Sequence, residues 1–95
     1  DYPGGIHVLR NFIGQNYKYP KEAILNRVKG TVRTSFVIDR DGKMTEIKVV
    51  EDLGHGTGEA AIQVLKRAKK WSPGIMRGVP VRVAYALPIR LDLTR

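Results

Sequence analysis

The chain has 95 residues, with 17 basic and 9 acidic side chains, no cysteine and a formal net charge of +8. This length suits one domain and is too short for two. The absence of cysteine excludes disulfide frameworks, thiol chemistry and cysteine-ligated zinc, and no apolar run is long enough to span a membrane. Residues 60–95 hold eight basic side chains and one acidic side chain, so we expect this C-terminal third to attract an anionic partner.

The N-terminal part carries two helical patterns. Apolar side chains recur at three- and four-residue spacing after Pro3-Gly4-Gly5, which predicts an amphipathic helix. Residues 21–28 predict a second, shorter helix with Pro20 at its start, where a missing N–H has no consequence. The chain begins at Asp1 without a methionine and shows no signal peptide, so we expect a piece of a longer protein.

The middle of the chain predicts a β-hairpin followed by a helix. Residues 31–39 and 43–51 have the polarity of paired strands, and Asp41-Gly42 between them is a hairpin turn signal because glycine tolerates a positive φ. Residues 59–70 predict a helix with an apolar stripe, and Thr57 is the candidate N-cap.

Residues 79–93 predict one long strand with a single buried face, because every odd-numbered residue in them is apolar. Pro80 and Pro88 are both even-numbered, so their missing N–H groups point to the same lateral side of the strand. The simplest arrangement leaves that side unpaired, which places the strand at the edge of its sheet.

Two interpretations of this open edge remain. Proline and arginine can protect an edge strand against aggregation. Alternatively, the edge can accept a strand from a partner protein, which is β-augmentation. In the second case the edge offers the backbone N–H and C=O groups of Arg82, Ala84 and Ala86.

These elements predict a single α+β domain over residues 1–95. We expect a three-stranded antiparallel sheet in the order returning strand, first strand, last strand. The helices lie on one face, and the last strand lies at the sheet edge because its connection crosses through the third helix.

Five stretches also carry a family resemblance. They are Pro3-Gly4-Gly5; Tyr19-Pro20 followed by Ala23; Gly30-Thr31-Val32 leading through Phe36-Val37-Ile38 to Asp41-Gly42; Trp71-Ser72-Pro73-Gly74; and Gly78-Val79-Pro80-Val81 closing with Leu87-Pro88-Ile89. In this order and spacing, over nearly the whole chain, they resemble the C-terminal domain of TonB, particularly in its Bacteroidetes-type members.

The resemblance implies a periplasmic domain of a protein anchored in the inner membrane. Such domains bind the TonB box, a short extended segment near the N-terminus of outer-membrane transporters for siderophores or other nutrients. They transmit force that inner-membrane motor proteins derive from the proton-motive force.

The resemblance also implies a set of partner-binding residues. In the family the box pairs with the last strand, which matches Val81, Arg82, Val83, Ala84, Tyr85, Ala86 and Leu87 here. Asn16 holds the position of a polar residue that contacts the transporter, just before the Tyr19-Pro20 pair. Tyr19 and Pro20 belong to the same expected partner-binding set. We further expect the basic C-terminal third to complement acidic residues beside the box, so that association depends on salt.

No catalytic or metal-binding pattern accompanies these features. His7 and His55 lack metal-ligand spacing, and Ser35 and Ser72 stand outside any nucleophile motif. We therefore predict no enzymatic activity, no cofactor and no metal. Two other hypotheses stay open: a small nucleic-acid-binding domain, which rests on charge alone, and a homodimer that pairs its own edge strands.

Overall fold

A computed structural model describes residues 2–92 of the chain. Within this part, three helices and five strands follow one another along the chain. They are α1 (Ile6–Asn16), α2 (Lys21–Leu25), β1 (Gly30–Ile38), β2 (Met44–Glu51), α3 (Thr57–Lys66), β3 (Gly74–Met76), β4 (Val79–Val81) and β5 (Val83–Leu91).

The main sheet has three antiparallel strands in the order β2-β1-β5. β1 and β5 pair without interruption, from Gly30 opposite Leu91 to Ile38 opposite Val83, whereas the β1–β2 ladder contains two register shifts. The predicted α+β class and strand order are confirmed. In the described part of the chain β5 pairs only with β1, so it forms one edge of this sheet.

The core lies between one face of the sheet and the helices. The alternation of β1 and β5 sends their apolar side chains to this face, where they meet the buried faces of α1 and α3. The fully or almost fully buried members are Tyr2, Leu9, Ile13, Val32, Phe36, Ile38, Ala61, Val64, Leu65, Trp71, Leu87, Ile89 and Leu91. Burial of each large apolar side chain contributes roughly 1.5–3 kcal/mol to stability. These side chains therefore determine which face of the sheet packs against the helices.

An aromatic cluster closes the core at the turn between β1 and β2. The ring of Trp71 lies 5.6 Å from Tyr2, 5.5 Å from Phe36 and 4.8 Å from Tyr85, measured between centroids. The backbone N–H of Trp71 donates a hydrogen bond to the Gly42 carbonyl at 2.9 Å, which links the predicted Asp41-Gly42 turn to this cluster.

The prediction of one strand over residues 79–93 is wrong in its first part. The strand is interrupted at Arg82, and β4 pairs with β3 in a separate two-stranded hairpin. The physical reason is the length of β1, which ends opposite Val83 and leaves residues 79–81 without a partner in the main sheet. Arg77 (φ 51°) and Gly78 (φ 78°) supply the two positive φ angles that a two-residue hairpin turn needs. Leu93 lies outside the described residues.

The N-terminus of α3 also differs from the prediction, because Gly56 rather than Thr57 is the N-cap. A carboxylate from the preceding loop takes over the capping. Asp52 Oδ1 accepts hydrogen bonds from the Gly54 N–H (2.8 Å), the Gly58 N–H (3.2 Å) and the Thr57 hydroxyl (3.2 Å). The bond to Gly58 satisfies one of the N–H groups that a helix leaves free at its start.

Candidate partner-binding edge

The outer side of β5 carries free backbone groups. The carbonyl of Leu87 accepts a hydrogen bond from the Thr34 hydroxyl at 2.8 Å, so the backbone of Leu87 faces β1. In an antiparallel ladder neighbouring residues face opposite sides. The backbone groups of Ala84, Ala86 and Pro88 therefore face away from β1, and the missing N–H of Pro88 falls on the open side, as the sequence predicts.

This open side continues past the interruption at Arg82. The two-residue turn makes Met76 and Val79 the pair that closes the β3–β4 hairpin, so Pro80 faces away from β3. Side-chain exposure alternates from residue 80 to residue 91, across the junction at Arg82, so no residue is inserted there. The open side of β4 is thus continuous with the open side of β5. We call this continuous side, residues 79–91, the open edge.

The open edge offers paired donors and acceptors between its two prolines. Arg82, Ala84 and Ala86 each present one N–H and one C=O there, and no strand in the described part of the chain lies on that side of β5 to pair with these groups. Ala84 and Ala86 have small, exposed side chains, so they leave room for another chain to approach.

Arg82 is held by acidic residues of its own chain. Its guanidinium donates a hydrogen bond to the Glu46 carboxylate, and its Nε lies 3.7 Å from Asp39 Oδ1. These groups are about half exposed, so the ion pairs add little stability. Their effect is to hold the Arg82 side chain back over the sheet, away from any partner lying along the open edge.

A groove adjoins the C-terminal half of the open edge. It encloses about 460 Å³ between α1 and β5. Ile13, Leu87 and Ile89 give it an apolar floor, while Arg10 and Arg90 contribute cations. The α1 side of this groove was not predicted from the sequence. Gly14 is the one local signal, because an exposed glycine in the last turn of α1 lowers helix propensity and leaves space beside the strand.

Of the three predicted contact residues near the end of α1, Tyr19 lies beside the open edge. Asn16 and Pro20 make their contacts within the helices instead. The Tyr19 hydroxyl accepts a hydrogen bond from the Asp92 N–H at 3.3 Å, just beyond the end of β5. The Asn16 side chain donates to the Phe12 carbonyl within α1, and Pro20 is the N-cap of α2. No hydrogen bond among the described residues joins Asn16 or Pro20 to β5.

Tyr17 anchors the segment that carries Tyr19. Its hydroxyl donates to the Thr57 carbonyl at 2.8 Å, and its ring packs edge-on against Tyr19 with centroids 5.1 Å apart. Burial, followed by the nearby charges of Tyr19 and Asp52, raises the pKa of Tyr17 to about 12. The neutral phenol therefore persists well above its usual range.

The described residues hold neither a metal-binding cluster nor a membrane-spanning helix. His, Cys, Asp and Glu side chains form no group of three or more that could hold a metal ion in residues 2–92. Over the same residues, every helix is too short or too polar to cross a bilayer.

The fold and the edge together define a small α+β domain whose sheet ends in an open strand. The chain belongs to the family described as Gram-negative bacterial TonB protein C-terminal, whose family model matches residues 15–93. The family predicted from the sequence is thereby confirmed.

Named relatives and solved structures support the same assignment. The chain is 30% identical over 89 residues to "Protein TonB" from two strains of Helicobacter pylori, covering 88% of this chain and 30% of those proteins. It thus spans less than a third of the length of these relatives. Two NMR solution structures of Helicobacter pylori TonB-CTD are also similar. One superimposes with a TM-score of 0.72 at 27% identity over 95% of both chains. The other has a TM-score of 0.64 at 28% identity, over 92% of this chain and 78% of that chain.

Proposed function

We propose that this domain binds the TonB box of outer-membrane transporters by adding the box as a further strand along the open edge. The single observation that carries the proposal is the run of free backbone groups at Arg82, Ala84 and Ala86, framed by Pro80 and Pro88. Membership of the TonB C-terminal family supplies the partner class.

Backbone pairing alone gives such a complex little affinity. Each main-chain hydrogen bond contributes about 0.5–1.5 kcal/mol net, while ordering each residue of a flexible segment costs about 1–2 kcal/mol. Side-chain contacts must supply the difference. We assign them to the groove between α1 and β5, whose apolar floor suits a branched aliphatic side chain and whose Arg10 and Arg90 suit an acidic neighbour.

The wider role follows from the family. In this proposal the domain lies in the periplasm, as part of a protein anchored in the inner membrane. Motor proteins in that membrane act through the part of the protein outside this chain, and the paired strand passes the force to the transporter.

Ala84→Pro tests strand pairing directly. It removes one N–H from the open edge and leaves the core face of β5 untouched, so the domain should fold. We expect binding of a box peptide to weaken by about tenfold, the equivalent of one lost hydrogen bond. Isothermal titration calorimetry measures the affinity, and Ala84→Ser, which keeps the N–H, is the matched control. A folded Ala84→Pro variant that binds as tightly as Ala84→Ser would refute pairing at this position.

The two alternative hypotheses gain less support. Homodimerisation through the open edge brings together two chains of net charge +8, which repel each other. Nucleic-acid binding needs the basic side chains of residues 60–95 on one surface. Arg82 instead forms ion pairs with Glu46 and Asp39. Arg90 lies on β5, at the opposite edge of the sheet from the lysines beside β2.

A further inference from the structure

A second groove lies between α3 and β2, on the side of the sheet opposite the open edge. It encloses about 340 Å³, and its floor is formed by Met44, Ile47, Leu65 and Ala68. Four lysines surround this floor, and we call them the lysine rim: Lys43, Lys66, Lys69 and Lys70. Because the strand order is β2-β1-β5, a segment paired along the open edge lies two strands away from the rim.

No lysine of the rim forms an ion pair within the described part of the chain. The ion pairs there use Arg33 with Glu51, and Arg82 with Asp39 and Glu46, and none includes a rim lysine. Four like charges around one groove repel each other. An anionic partner would relieve this repulsion.

An uncovered apolar hairpin projects from the same end of the molecule. Lys70 is followed directly by Trp71, whose backbone N–H is hydrogen-bonded to Gly42 in the β1–β2 turn. The chain then enters the β3–β4 hairpin. Ile75, Met76 and Val79 in this hairpin are 62%, 65% and 59% exposed. Three large apolar side chains in a segment of eight residues are costly in water and are typical of an interaction site.

The register of the hairpin places apolar side chains on both of its faces. Ile75 stands opposite Pro80 on one face, while Met76 stands opposite Val79 on the other. The flat surface of a protein partner would cover only one of these faces. A lipid interface surrounds a shallowly inserted hairpin and covers both.

We propose that this end of the domain docks on an anionic lipid surface. The side chains of Ile75, Met76 and Val79 enter the interfacial region, as the apolar face of an interfacial helix does. The lysine rim and Arg77 at the hairpin turn contact the phosphate groups of the lipids, since basic clusters are drawn to anionic bilayers. This docking covers the β4 end of the open edge and leaves its β5 part, Val83–Leu91, accessible for the proposed strand pairing.

Co-sedimentation of the 95-residue chain with lipid vesicles tests the proposal. We expect binding to vesicles in which about a third of the phosphatidylcholine is replaced by phosphatidylglycerol, and little binding to pure phosphatidylcholine. Added salt should weaken the binding because it screens the charges. Equal binding to both vesicle types would overturn the proposal. Binding to soluble polyglutamate without binding to either vesicle would also overturn it and would assign the rim to an acidic protein segment.

Three variants separate charge from apolar insertion. Replacing Lys66, Lys69 and Lys70 by Gln should weaken vesicle binding by about tenfold or more. The matched control replaces Lys18, Lys21 and Lys29 by Gln, which removes the same charge away from the rim, and should bind almost as the parent does. A hairpin variant with Ser in place of Ile75, Met76 and Val79 should also lose binding. If the control loses as much as the rim variant, or the folded hairpin variant binds normally, the proposal fails.

Discussion

Gly42 shows at the scale of a single residue how tightly the turn and the core are joined. Its φ is +86°, and a Cβ placed there would lie 2.0 Å from the carbonyl oxygen of Trp71. The backbone N–H of Trp71 in turn donates a hydrogen bond to the Gly42 carbonyl. An added methyl group therefore forces apart the β1–β2 turn and the segment that carries the central aromatic ring.

We expect Gly42→Ala to lower the free energy of unfolding by about 2–4 kcal/mol, from backbone strain and steric overlap together. Gly54→Ala is the matched control, because Gly54 also has a positive φ (+77°) but open space around its Cβ position. The control substitution should lower the free energy of unfolding by about 1 kcal/mol. Urea unfolding measures both, and equal losses would show that the contact with Trp71 is unimportant.

Tyr17 gives the stability a dependence on alkaline pH. Its pKa is raised from 10.0 to about 12 in the folded state. The stabilisation by the neutral phenol is thus complete below pH 10 and is lost as the pH rises toward 12. In Tyr17→Phe this part of the decline should be absent, although the variant also loses the hydrogen bond to Thr57. Unfolding curves across this range that fall in parallel for both proteins would contradict the assignment.

At the scale of elements, the sequence predicts the sheet better than the connections around it. Alternation in β1 and β5 shows which side chains are buried, and Pro80 and Pro88 show which edge is open. Alternation does not show which strand lies alongside. The change of partner at Arg82 depends on where β1 ends, so the β3–β4 hairpin could not be predicted from residues 79–93 alone.

The groove beside the open edge was missed for a related reason. Arg10 and Gly14 lie on α1, far in sequence from Leu87 and Ile89, and only the docking of α1 brings them together. The local pattern of α1 predicts which face is buried in the core. It carries no information about what flanks the edge of the sheet.

Gly14→Leu tests whether this groove contributes to binding. No atom lies within 4 Å of a Cβ placed on Gly14, and the change favours the helix, so stability should be equal or higher. The larger side chain occupies the groove, and we expect box-peptide affinity to fall by about tenfold. Gly14→Ala, which adds only one methyl group, is the control. Unchanged affinity in Gly14→Leu would remove the groove from the proposed site.

At the scale of the whole molecule, two separate groups of basic side chains line two separate grooves. Arg10 and Arg90 lie beside the open edge, whereas the lysine rim lies across the sheet. The net charge of +8 is thus a sum that includes two separate basic surfaces, the groove beside the open edge and the lysine rim. The expectation that one basic region guides the box to the edge remains a prediction, and Arg10 and Arg90 are the charges placed to do so.

An amide NMR titration with a peptide copied from a transporter N-terminus of the same source tests the central claim most directly. The peptide carries acidic residues followed by a valine-rich stretch. Strand addition predicts the largest shifts at Arg82, Ala84 and Ala86, with smaller shifts at Ile13 and Gly14 across the groove. Shifts confined to the lysine rim that disappear with added salt, or no shifts at all, would contradict strand addition along the open edge.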